Sequence, residues 1–247
     1  MSISVSSAST VTNWNDTSLA NANTINSVPS GAVSVFALWT YIDYADSTPT
    51  FSVSDGSNSY SVDVVGRNGS GQASGIAHFD YTANSAGNKT VTVTPSGTSG
   101  NDYGRLLCVY VTGLSSSSFD KSGTGNNTST TPTCAIGTAL STSNEVIFSV
   151  LGSADNSLAG ATTPPTSSQG TFTNLLSDLT GSSIATAVIS YSIVSATTAP
   201  SVAWGTISSS TQWNSCMATY KAATASVAFR KTLSPLGTRI GSRQIQL

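Results

Sequence analysis

Charge is what this 247-residue chain has least of: Asp, Glu, Lys and Arg make up 8% of it, against roughly 25% in soluble globular domains. One histidine, His78, and one glutamate, Glu145, leave little for general acid–base chemistry, which draws on such groups held within hydrogen-bond reach of a substrate. No G-x-S-x-G nucleophile elbow occurs, nor any phosphate-loop or dinucleotide fingerprint. Catalytic residues and a cofactor are therefore not expected. Three cysteines, Cys108, Cys134 and Cys216, form no CxxC or His-spaced pattern, which excludes a zinc site of the usual spacing, and their odd number argues against a disulfide framework. Cys108 and Cys216 fall inside apolar strand-like runs, where a free cysteine behaves as a small buried hydrophobe. No stretch approaches the roughly 20 apolar residues of a membrane span, so membrane insertion is not expected. The start, MSISVSSASTV, lacks the basic residues and apolar run of a signal peptide. An extracellular destination is thus expected to be reached by another route, such as lysis of the producing cell.

What is present is polar without being charged. Ser, Thr, Asn and Gly supply the surface, as they often do in all-β extracellular, adhesive and coat proteins. Hydrophobic residues at 38% suffice for a sizeable core, and all-β folds of 200–250 residues often form a single unit. The net charge of −2 conceals an asymmetry: residues 1–220 hold eleven acidic and four basic side chains, net −7, while residues 221–247 hold five basic ones, net +5. A basic block behind an acidic body is the pattern of an interaction tail. The reading is one sandwich domain over residues 1–222 and an extended basic arm over 223–247. Arg230, Lys231, Arg239 and Arg243 are its docking candidates. The acidic body disfavours nucleic acid, whose recognition begins with clustered Lys and Arg neutralising phosphates.

Apolar periodicity is strand-like almost throughout. In VSVFALWTYI (33–42), Val33, Val35, Ala37, Trp39 and Tyr41 share one face while Phe36, Leu38 and Ile42 share the other, the pattern of a central strand buried on both sides. Further strands are expected at 59–66, 75–82, 89–94, 105–112, 145–151, 184–195, 201–207, 212–221 and 225–231. Asp55-Gly56, with Ser57 and Asn58, reads as a hairpin connection. Residues 113–133 and 152–170 read as long loops, and NLLSDLT (174–180) as the best exception to the strand pattern, one or two helical turns. No internal repeat of fixed period is found. Ten to twelve strands with long crossovers imply an all-β, antiparallel two-sheet β-sandwich with jelly-roll or Greek-key connections.

The groups that could carry chemistry are few. His78 and Asp80 fall on one face of a strand, the geometry of a histidine oriented by a carboxylate, although a structural histidine is the weightier reading. A glycosidase needs two carboxylates; Asp43 with Asp46 and Asp63 with Asp80 are available, without a spacing that singles them out. Glu145, starting a strand after STSN, is expected as a solvated carboxylate at a hairpin end. Oxygen-rich loops at Asp43-Tyr44-Ala45-Asp46 and Asp55-Gly56-Ser57-Asn58 offer hard ligands, but neither has the EF-hand spacing, and no metal is expected. Among the aromatics, Trp39 and Trp204 sit mid-strand and read as core. Trp14 and Trp213 lie nearer strand ends, which makes them the candidates for contact with a sugar ring.

The series FSVSDGSNSYSVDVV, FDYTANSAGNKTVTVTPSG, LLCVYVTGLSSSSFDKSGTGNNTSTTPT and WNSCMATYK resembles a β-sandwich domain common in virion surface proteins of tailed bacteriophages. The likeness covers roughly residues 30–222, and its motifs are turns and core positions. It implies a capsid decoration, head fibre, spike or tail-associated adhesin on the virion surface, partnered by other capsid or tail proteins. A homo-oligomer, most simply a trimer, and contact with a host-surface glycan are what such a setting implies. The resemblance brings no catalytic residue with it.

Overall fold

Among the described residues the backbone forms seventeen strands and no helix: β1 (Ser4–Val5), β2 (Thr12–Asn15), β3 (Asn21–Val28), β4 (Gly31–Asp43), β5 (Thr50–Ser54), β6 (Ser61–Arg67), β7 (Gln72–Asn84), β8 (Gly87–Ser96), β9 (Asp102–Thr112), β10 (Leu114–Ser129), β11 (Thr133–Ala135), β12 (Glu145–Ala154), β13 (Thr166–Ser167), β14 (Thr173–Asp178), β15 (Ala185–Val194), β16 (Ser201–Ala203) and β17 (Thr211–Ala222). The structure, a computed structural model, describes residues 2–15, 20–43, 48–69, 71–98, 102–154, 158–179, 185–208 and 210–224. The strand expected at 225–231 and the arm lie outside them.

All pairings are antiparallel, and they make four sheets. A first large sheet runs β1-β9-β4-β7-β6, with β2 also on β9; a second runs β10-β17-β12-β15-β14. Two small sheets, β3-β8-β5 and β11-β16-β13, cover their outer faces. The two large sheets meet across a seam holding Phe36, Leu38, Ile76, Leu107, Phe148, Val150, Ile189 and Tyr220. Val35, Ala37, Trp39 and Tyr41 turn instead toward Ile25, Val91 and Val93 beneath the first small sheet. Ile147, Leu151 and Met217 turn toward Cys134, Val202 and Trp204 beneath the second. The alternation of residues 33–42 therefore divides β4 between two cores, as its two apolar faces require. Gly75 belongs to the same packing, because a Cβ there would lie 2.1 Å from the Trp39 ring.

The antiparallel all-β sandwich architecture expected from the sequence is what the chain adopts, in four layers and with more strands than expected. The strand expected at 201–207 ends at Ala203, the loop expected at 152–170 contains the end of β12 and β13, and two further segments differ more. Residues 113–133 are mostly strand rather than loop: β10 pairs with β17 from Leu114 to Ser129. It is an edge strand with polar residues along its exposed side, so it lacks the apolar content that marks central strands. The segment 174–180 is not helical, since β14 pairs with β15 through a bulge between Asn174 and Leu176. The extra residue lets the adjacent Leu175 and Leu176 both pack on the seam, which mimics a helical cluster in the sequence.

The layers also repeat. In chain order, β2 to β9 and β10 to β17 visit large and small sheets in the same sequence. Both large sheets share one spatial order, β2-β9-β4-β7-β6 against β10-β17-β12-β15-β14, and both small sheets share another, β3-β8-β5 against β11-β16-β13.

Candidate functional site

The densest group of ionisable side chains lies at one flank of the seam. Alternation along β7 puts His78 and Asp80 on the same side, as the sequence implies, with Nε2 3.4 Å from an Asp80 oxygen. The other ring nitrogen meets a residue that alternation does not predict. Asp63 is the unpaired residue of a bulge in β6, between the pairs Val62–Ala77 and Val64–Ile76. The bulge aims its carboxylate at His78 Nδ1, 2.7 Å away. Tyr220 of β17 donates its hydroxyl to the same Asp63 oxygen at 2.6 Å. Asp80 accepts from the Ser118 amide and hydroxyl, both at 2.9 Å, and from the Ser34 hydroxyl. The imidazole ring stacks on Phe36 and meets Tyr220 edge-on.

These contacts decide the protonation state. Burial pushes the imidazole down, but its hydrogen bonds to the Asp63 and Asp80 carboxylates and their charges outweigh it and raise His78 to about 9. Burial likewise opposes ionisation of Asp80, yet His78, Ser34 and Ser118 hold it below the usual carboxylate range. Tyr220 is pushed well above its ordinary value by burial and by the Asp63 charge. At neutral pH the group is an imidazolium between carboxylates, and both ring nitrogens donate. His78, Asp63 and Asp80 pair within the first large sheet, and hydrogen bonds donated by Tyr220 and Ser118 of the second clasp the group across the seam.

Glu145 departs from expectation. Instead of a solvated hairpin end it is fully buried, because β12 lies between β15 and β17 from its first residue. Its Oε1 accepts from the Thr142 amide and hydroxyl at 3.1 Å. Burial, reinforced by Asp120, raises its carboxyl, while Asp120 is held low, against burial, chiefly by Ser141 and Lys121 and in part by Glu145 itself. On the opposite flank of the seam from His78, the buried Arg105 reaches Asp178 with Nε at 2.9 Å and an Nη at 2.8 Å, a second tie between the large sheets.

The oxygen-rich loops resolve differently. Asp55 spends its carboxylate on its own turn, accepting from the Ser57 and Asn58 amides at 3.0 and 2.7 Å and from Tyr81. Asp43 is buried opposite Asp102 in the β4–β9 ladder, while Tyr44 and Asp46 lie outside the described residues. Among the described residues no group of three or more His, Cys, Asp or Glu side chains is arranged to hold a metal ion.

Trp14 and Trp213 are not exposed, with 1% and 3% of their surface accessible. Their strand ends are roofed by the small sheets: Trp14 packs edge-on against Tyr41, and Trp213 joins the core under the second small sheet and donates Nε1 to Ser129 at 3.1 Å. Neither offers a ring face to a sugar. Arg230, Lys231, Arg239 and Arg243 lie outside the described residues.

The outermost surfaces are the outer faces of the two small sheets. On the first, Val91 and Val93 point inward while Thr90, Thr92 and Thr94 point out beside Thr24, Ser52 and Ser54. Cross-strand hydroxyl bonds join Thr24 to Thr90 at 2.9 Å and Thr50 to Ser96 at 2.6 Å. The second carries a shallow depression of about 250 Å³ lined by Thr133, Ala135, Thr166, Ser168, Ser201 and Ala203, among others. Both faces are hydroxyl-rich, and no charged side chain is among the residues named. No family model, no curated protein and no solved structure matches this chain.

Proposed function

We propose that this chain is a structural protein of the outer surface of a bacteriophage virion, a capsid decoration, head fibre or spike, acting by assembly and with a part in host attachment. The observation that carries this reading is the pair of uncharged Ser/Thr faces turned in opposite directions on one four-layer stack. Such an object suits contacts with neighbours on two sides, and its hydroxyls stay hydrated without strong charge. The resemblance of residues 30–222 to phage surface sandwiches supports the same setting. In this reading the protein is not an enzyme. The one His is consumed in a salt-bridged clasp and the one Glu is buried beside Asp120. The basic arm, with Arg230, Lys231, Arg239 and Arg243, docks acidic groups of a capsid or tail partner, and copies assemble around a symmetry axis, most simply as a trimer.

Density-gradient purification of particles from cells that encode the protein tests this directly. The full chain should band with particles and be accessible to antibody there, whereas a chain ending at residue 224 should fold and remain in the soluble fraction. Absence of the full chain from particles overturns the virion reading, and normal incorporation of the shortened chain overturns the role of the arm. A carbohydrate-binding module is the second reading, favoured by the hydroxyl-lined depression on the second small sheet. Binding on a glycan array that is lost on Ala135→Trp substitution would favour it.

A further inference from the structure

The repetition of strand order extends to individual registers. Phe36 of β4 pairs with Val109 on one side and His78 on the other; Phe148 of β12 pairs with Ala218 and Tyr191. Matching these phenylalanines brings the two bulges into register. In one half Val62 pairs with Ala77 and Val64 with Ile76, leaving Asp63 over; in the other Asn174 pairs with Ser190 and Leu176 with Ile189, leaving Leu175 over. Ala77 and Ile76 stand opposite Ala37 and Leu38 of β4, and Ser190 and Ile189 stand opposite Ser149 and Val150 of β12, the same steps counted from Phe36 and Phe148. A bulge inserts one residue at a specific step of one ladder, and unrelated sandwiches have no reason to place it at the same step of the same strand. The matched phenylalanines touch, with ring centroids 4.8 Å apart. Around them β12 lies against β7 as β15 lies against β4, and β17 against β7 as β15 against β9, a reciprocal, two-fold-like contact among the central strands, while β6 meets β10 and β17 without a counterpart for β14.

We infer that the chain is a fused dimer: residues 2–113 and 114–224 are two copies of one sandwich, and the partner each large sheet fits is another sandwich of this topology. The join is a single residue, Gly113, at φ +84°. The copies differ where the clasp lies. Ser34, Asp63, His78 and Asp80 of the first correspond by register to Val146, Leu175, Tyr191 and Ile193 of the second. Tyr220, which the second half supplies to the clasp, has no counterpart in the first, where Val111 stands at the matching place. Two first halves paired together would therefore bury Asp63 without this donor. The clasp admits the unlike partner and penalises the like one, which is the registry role that buried polar groups fill best.

The test begins with a specific protease site inserted after Gly113 in the full chain. After cleavage of the native protein, residues 1–113 and 114–247 should co-elute as a 1:1 complex, with an unfolding midpoint that rises with protein concentration, as for any associating pair. Dissociation or precipitation of the halves on cleavage under native conditions overturns the inference. If the insertion itself blocks folding, the triple variant Asp63→Leu, His78→Tyr, Asp80→Ile decides. Refolded at high concentration, it should yield dimers through like pairing that the original chain does not form. An unchanged oligomeric state in a folded triple variant, or its failure to fold, overturns the role of the clasp.

Discussion

His78 and Glu145 are both buried, and their partners decide opposite charge preferences: carboxylates favour the imidazolium, while Asp120 adds to the cost of ionising Glu145. His78 is raised by its carboxylate partners, so its charged form is favoured in the folded state. The stability it contributes is fully present below about pH 6.5, the ordinary histidine value, and is lost as pH rises through about 9. Asp80 acts in the opposite sense, its contribution being lost as pH falls through its depressed value. His78→Phe keeps the stacking on Phe36 but strands Asp63 and Asp80, and should cost about 3–5 kcal/mol near pH 6. Urea titrations at pH 6 and pH 10 should show the difference from the original protein shrinking at the higher pH. Glu145 is raised by burial and by Asp120, so ionising it costs stability, and the cost appears as pH rises through its raised value. Glu145→Gln should match or exceed the original stability at pH 7.5 in the same titrations. Half of the clasp is legible in the sequence, since alternation along β7 places His78 with Asp80. Asp63 is hidden there because a bulge breaks the alternation, and Tyr220 because it lies 142 residues from His78 in the chain. Glu145 reads as solvated because a polar STSN run before a strand does not reveal that the strand is central.

Among the elements, central strands are legible in the sequence, and of the edge strands of the large sheets β6 is legible while β10 and β14 are not. β4, β7, β9, β12, β15 and β17 bury both faces or long apolar runs and declare themselves. β10 does not, because one edge is open and its residues are mostly Ser, Thr, Gly and Asn. Its identity as a strand rests on pairing with β17 and on two glycines beneath β11. A Cβ at Gly123 or Gly125 would lie 2.1 or 2.2 Å from the carbonyl oxygen of Ala135 or Thr133. Gly125→Val should therefore lift β11 from β10 and cost about 1–3 kcal/mol, the range for overpacking, read as a lowered thermal midpoint. An unchanged midpoint would mean that β11 does not lie against β10. Short strands such as β11 and β13 hold three and two residues, too few for any periodicity to register, whereas β16 falls at the start of the strand expected at 201–207.

For the whole molecule, the scarcity of charge has a structural counterpart. Among the described residues, four layers create three apolar interfaces, and the outer faces of the two small sheets are clothed in hydroxyls. The sandwich class is legible from turn spacing and alternation. The doubling is not, because matched positions such as His78 and Tyr191, or Asp63 and Leu175, share place without sharing chemistry. If the two halves are equivalent units, their order along the chain is immaterial to the fold. Ala223 donates its amide to Gly113 at 2.8 Å, and Ser2 lies against the same glycine, so a short linker can join Thr224 to Ser2. The most direct measurement is then the thermal unfolding of a circular permutant that begins at Leu114, runs to Thr224, continues through the linker to Ser2 and ends at Gly113. One cooperative transition within a few degrees of that of residues 1–224, with the same near-ultraviolet circular dichroism, is the expected result. A permutant that is soluble only in denaturant, or that lacks a cooperative transition, would contradict the account.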